Sequence, residues 1–142
     1  MSETKPLRKI QSFVRRSGRL SKAQSIGLNE LWQTYGVNLD NKIINLDELF
    51  NKPQSVTLEV GFGNGDSLLE MAFQQPQNNF LGIEVYEAGI GRLINEANKK
   101  KIDNLKIIKG DAVEILKNNI KDNSISCLQL FFPDPWHKKK HH

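Results

Sequence analysis

Four carboxylates, Glu59, Glu84, Asp111 and Asp134, each stand at or just past the end of a short apolar run. A glycine triplet, Gly61, Gly63 and Gly65, follows the first of them. Glycines let a ligand come close to the backbone, but the spacing here is G-x-G-x-G, not the G-x-G-x-x-G of dinucleotide-binding turns. Glu84 lies 23 residues past Gly61, where a carboxylate suits the paired hydroxyls of a ribose. That ribose logic serves NAD and S-adenosylmethionine alike. Glu59 separates them, because a carboxylate beside the loop repels a pyrophosphate and holds an ammonium, directly or through water. Asp111 suits the exocyclic amine of an adenine, although Asp66 and Asp111 also read as helix N-caps.

The fourth carboxylate has the most constrained surroundings. Asp134 sits between Pro133 and Pro135, followed by Trp136, His137 and Lys138 to Lys140. Each proline fixes its own φ and restricts the residue before it, so the backbone around Asp134 is rigid and points to a site. The plain alternative is a proline-rich turn followed by a solvated lysine run. The three histidines of this tail read as solvated rather than as metal ligands, and no metal is expected.

These residues need a scaffold that collects strand ends. The chain supplies one as a strand and helix alternation: strands at Val56 to Val60, Phe80 to Val85, Leu105 to Lys109 and Ser124 to Phe131, with helices from about Asp66 to Gln74, Ala88 to Lys101 and Ala112 to Asn119. Short apolar strands alternating with helices predict a parallel sheet covered on both faces. Ligands of such sheets bind outside the carboxyl ends of the strands, at the topological switch point. The fold class is therefore α/β. Upstream, apolar residues from Ile26 to Tyr35 predict a short helix over Ala23 to Tyr35 ending at Gly36. LDELF, Leu46 to Phe50, predicts another, closed by Pro53. The chain divides into 1–52, a basic arm with short helices, and 53–142, the ligand-binding part.

At 142 residues the chain fits one domain, with 38% apolar and 25% charged residues as in an ordinary globular protein. The single cysteine, Cys127, rules out a disulfide framework, and its apolar run predicts a buried hydrophobe. No apolar run approaches the roughly 20 residues of a membrane span, and the N-terminus lacks the apolar segment of a secretory signal. A cytoplasmic location is expected, although the Arg- and Ser-rich start also suits a mitochondrial transit peptide. The net charge of +4 is unevenly spread. Residues 1–25 carry +6, residues 26–136 carry −5, and 137–142 add three lysines. Cationic ends on an acidic body suit contacts to a phosphate backbone; two solvated tails are the alternative.

The stretches LEVGFGNGDSLLEMA, FLGIEVYEAGIGRLINEA, IIKGDAVEIL and LFFPDPWHKKKHH, with the arm SFVRRSGRLSKAQ, resemble the N-terminal part of the tRNA (guanine-N7)-methyltransferases. The resemblance covers essentially the whole chain, and the PDPW-with-lysines motif is close to specific for that family. It implies a Rossmann-like class I, S-adenosylmethionine-dependent methyltransferase fold, truncated here after the fourth strand and ordered 3-2-1-4. It implies tRNA as partner and 7-methylguanosine at guanine 46 of the variable loop as product. By this resemblance Glu59, Glu84, Asp111 and Asp134 bind or flank the methyl donor at the glycine loop, and Lys138 contacts the tRNA. Guanine N7 carries an in-plane lone pair and no proton, so the reaction needs no general base. Asp134 is then the expected catalytic residue, accepting hydrogen bonds from the base and damping the developing charge. Trp136 suits stacking on a splayed nucleotide, and Arg15, Arg16, Arg19 and Lys138 to Lys140 suit phosphates.

The family's chain continues well past His142, so an incomplete form with an uncovered apolar fourth strand is expected. Two rivals stay open: a non-catalytic fragment that binds S-adenosylmethionine or RNA, and an NAD-dependent oxidoreductase. Monomer and homodimer are both compatible with the sequence.

Overall fold

The computed structural model describes residues 19–130. Six helices, α1 (Lys22–Asn29), α2 (Trp32–Tyr35), α3 (Leu46–Phe50), α4 (Asp66–Gln74), α5 (Glu87–Lys99) and α6 (Ala112–Asn118), accompany four strands, β1 (Val56–Val60), β2 (Asn79–Glu84), β3 (Leu105–Lys109) and β4 (Cys127–Leu130). All strand pairs are parallel, and the order is β3-β2-β1-β4. The chain steps outward from β1 through β2 to β3, then returns across β1 to β4. The switch in direction lies between β1 and β4, where Glu59 and the glycine loop emerge.

The alternation of side chains in each strand feeds two cores. Phe80, Leu105 and Ile107 pack with α4 (Leu68, Ala72) and α5 (Ile90, Leu93, Ile94) on one face. Leu58, Leu81, Ile83 and Ile108 pack with Phe50 of α3 and Ile115 of α6 on the other. β2 is buried along its whole length, as expected of an inner strand of a doubly covered parallel sheet.

The upstream segment is wired into these cores. The helix expected over Ala23 to Tyr35 is two helices, broken at Glu30 and Leu31. The break lets Tyr35 turn inward, where its hydroxyl donates to the Ile102 carbonyl at 2.7 Å. α1 opens with a capping box, Ser21 and Gln24 exchanging side-chain and backbone hydrogen bonds. It crosses α5 at a backbone-to-backbone contact: a Cβ on Gly27 would stand 2.1 Å from the Gly91 carbonyl oxygen, and one on Gly91 2.2 Å from that of Gln24. α3 ends at Asn51, in the left-handed region at φ 57°, before Pro53 is reached.

Strand β4 departs from expectation in one respect. Cys127 is exposed, not buried, and Leu128 and Leu130 are 53% and 54% exposed. The strand pairs with β1 on one side alone among the described residues, so its apolar composition gains little cover. Among the described residues, no helix is long and apolar enough to cross a membrane.

Candidate active site

The glycine loop is built by its neighbours. Gly61, Gly63 and Gly65 have φ of 73°, 64° and 79°, all in the left-handed region that a side chain disfavours. Between them, Phe62 drops into the core against Gly82 of β2, where a Cβ would stand 2.7 Å from the Phe62 ring. The loop closes on itself through the Gly65 N–H to the Phe62 carbonyl, 2.9 Å, and α4 starts at once from Gly65.

The loop opens onto a cavity of about 660 Å³ lined by Glu59, residues 61–67, Glu84 and Tyr86. That volume is in the range of small-molecule sites. Among the described residues, three of the lining side chains are carboxylates and none is Lys or Arg. Glu59 is 4% exposed, and its carboxylate has no hydrogen bond or ion pair among the described residues. Burial pushes its pKa above the ordinary carboxylate range. Glu59 lines the cavity, and a cation placed beside its carboxylate would offset the cost of its burial.

Glu84, at the end of β2, is also buried but is engaged by the backbone. Its Oε1 accepts the Gly63 N–H at 2.6 Å, and its Oε2 accepts the N–H groups of Val85 at 3.0 Å and Tyr86 at 3.1 Å. A carboxylate has about four acceptor sites, two per oxygen, so Oε1 keeps one for a ligand hydroxyl and Oε2 none. The side chain therefore shapes the loop as well as facing the cavity.

The structure brings five of the expected residues, Glu59, Gly61, Gly63, Gly65 and Glu84, onto this one cavity. Asp111 stands past the end of β3 and caps α6, accepting the Val113 N–H at 3.3 Å; it is not part of the cavity lining. Arg19 is exposed, just ahead of α1. Arg15, Arg16, Asp134 and Lys138 lie outside the described residues. Asn64, Ser67 and Tyr86 also line the cavity, beyond the residues expected from sequence. A polar residue inside the glycine loop and an aromatic directly after the β2 acid were the available signals. Gly65, not Asp66, occupies the N-cap position of α4, and Asp66 pairs with Arg92 of α5 at 2.6 Å.

A family model described as "Putative methyltransferase" matches residues 53–142, from the approach to β1 to the last residue. The chain belongs to this methyltransferase family. Relatives include the tRNA (guanine-N(7)-)-methyltransferase of Idiomarina loihiensis, 48% identical over 97% of this chain and 56% of that protein. Those of Colwellia psychrerythraea and Aeromonas hydrophila subsp. hydrophila are each 49% identical, over 99% and 96% of this chain and 57% of each relative. The chain thus spans a little over half the length of the curated relatives it matches. Among solved structures, a 30S ribosomal A1408 methyltransferase from an uncultured bacterium superposes with a TM-score of 0.52, at 20% identity over 72% of this chain and 50% of that one. That likeness concerns the fold alone.

Proposed function

We propose that the chain is the methyl-donor half of a tRNA (guanine-N7)-methyltransferase, using S-adenosylmethionine and forming 7-methylguanosine at guanine 46 of the variable loop. The observation that carries the donor is the charge of the cavity: three carboxylates, the buried Glu59 among them, and, among the described residues, no basic side chain on the lining. A dinucleotide pyrophosphate would meet Glu59 at close range in low dielectric, which is unfavourable. A ligand with ammonium and sulfonium groups fits the same walls. The names of relatives at 48–49% identity support the substrate and the position of its methyl group.

In this reading Glu59 takes the amino group of the donor, Oε1 of Glu84 takes a ribose hydroxyl, and the glycine loop lets the ligand lie against backbone. Tyr86 offers its ring beside the same wall. When bound, S-adenosylmethionine supplies an electrophilic methyl on sulfur. The chain's residues have no proton to remove, since N7 of guanine attacks through an in-plane lone pair. Their work is orientation, and holding N7 in line with the methyl is a proximity effect. Asp134 would accept hydrogen bonds from the guanine and damp its growing positive charge, while Lys138, Arg15, Arg16 and Arg19 would hold tRNA phosphates. Asp111 would reach the adenine amine from the α6 cap.

The test is methyl transfer from labelled S-adenosylmethionine to a tRNA transcript by the full-length protein that contains this segment, followed by nucleoside analysis. The expected product is 7-methylguanosine, lost when the variable-loop guanine is replaced by adenine. Label in any other nucleoside, or no transfer to tRNA, would overturn the reading.

A further inference from the structure

Helix α5 touches the glycine loop at two levels. At Gly89, one turn into the helix, a Cβ would stand 2.0 Å from the Gly63 carbonyl oxygen, so the loop rests on bare backbone. At Arg92, Nη1 donates to the Asn64 carbonyl at 3.3 Å and to Asp66 Oδ1 at 2.6 Å, across 28 and 26 residues of sequence. Gly89 and Arg92 are three apart, which puts them on one face of α5. The peptide groups between Gly63 and Asp66 are therefore held from α5 on one side and from Glu84 on the other. We propose that Arg92 is a positioning residue for the cavity: by bridging Asn64 and Asp66 it keeps the glycine loop in the shape that receives the methyl donor.

Arg92 does not line the cavity, so it has no direct hold on a ligand. Its planar guanidinium is suited to engage a carbonyl and a carboxylate together, and a lysine at the same place presents a single point charge instead. The neutralisation of Asp66 gives an opposite prediction, which makes the two effects separable. Removing the positive charge would leave Asp66 as a further carboxylate without its ion pair on the cavity and tighten a cationic ligand. Removing the bridge would loosen the loop and weaken every ligand of the cavity alike.

The proposal rests on the methyl-donor reading, and the experiment has one arm that does not. In ligand-free protein, amide hydrogen exchange is followed for Gly63 and Gly65, whose N–H groups bond to Glu84 and Phe62. Arg92→Gln should speed both on the order of tenfold, with the amides of β1 to β3 unchanged. Calorimetric titration with S-adenosylmethionine and with S-adenosylhomocysteine should show both weakened about fivefold and their ratio unchanged, with Arg92→Lys recovering part of the loss. Unchanged loop exchange overturns the proposal. So does a Gln variant that binds S-adenosylmethionine more tightly while S-adenosylhomocysteine is unaffected, for then Arg92 acts by charge. Faster loop exchange in a protein that binds neither ligand would uphold the positioning role and overturn the donor reading instead.

Discussion

Gly89 and Gly91 offer a matched pair of perturbations. An added Cβ would stand 2.0 Å from the Gly63 carbonyl oxygen at Gly89 and 2.2 Å from the Gln24 carbonyl oxygen at Gly91. Ordinary contact begins near 3.4 Å, so each alanine must push backbone away by more than 1 Å. Alanine within a helix gains about 1 kcal/mol over glycine, while overpacking against fixed neighbours costs typically 1–3 kcal/mol and occasionally more. Carbonyls of packed backbone yield little, so the net loss should be about 2 kcal/mol for either variant, or roughly 6 °C in melting midpoint. What differs is the neighbour that moves. Gly89→Ala displaces the glycine loop, and Gly91→Ala displaces α1. Urea unfolding gives the stability of each variant, and calorimetric titration with S-adenosylmethionine gives its affinity. Both should lose similar stability, while Gly89→Ala alone weakens binding, by about tenfold for a loop shift of this size. Equal loss of affinity in both variants, or none in Gly89→Ala, would refute the view that α5 seats the loop.

Three further outcomes follow from single residues. Glu59 has its pKa raised by burial, so the folded state binds a proton that the unfolded state has released, and stability falls as pH rises from the ordinary carboxylate value through the raised one. Glu59→Gln should therefore be more stable than the parent protein at pH 7, equal to it below about pH 4, and much weaker toward S-adenosylmethionine; thermal melts across pH and one titration check all three. Glu84→Gln places an NH₂ group against backbone N–H donors now accepted by a carboxylate, and should cost roughly 2 kcal/mol of stability with loss of donor binding, measured by the same two methods; full stability would contradict the role of Glu84 in shaping the loop. Cys127 is exposed and should react with a thiol reagent at the rate of a free cysteine without denaturant, where slow labelling would mean that the strand is covered.

The scaffold was legible because the relevant signals are local. The five residues of β1, the nine of α4 and the five of β3 fall where apolar runs and periodicity put them, and the 3-2-1-4 order is the one expected from the family resemblance. The glycine triplet, Glu59 and Glu84 were legible for the same reason: each is read from its place at a strand end. The misses are contacts between distant segments. Arg92 reaches Asp66 from another helix, and the Gly89 contact with Gly63 depends on how α5 leans against the loop. Neither leaves a mark in local sequence. The exposure of Cys127 was missed because an apolar run signals burial only when a second layer is there to cover it.

The carboxylate-lined cavity should take a sulfonium donor and not a dinucleotide. The most direct test is calorimetric titration of the protein with S-adenosylmethionine and, separately, with NAD. Saturable binding of S-adenosylmethionine that Glu59→Gln abolishes, with no heat from NAD, is the predicted result. Binding of NAD in preference, or S-adenosylmethionine binding that is indifferent to Glu59, would contradict it.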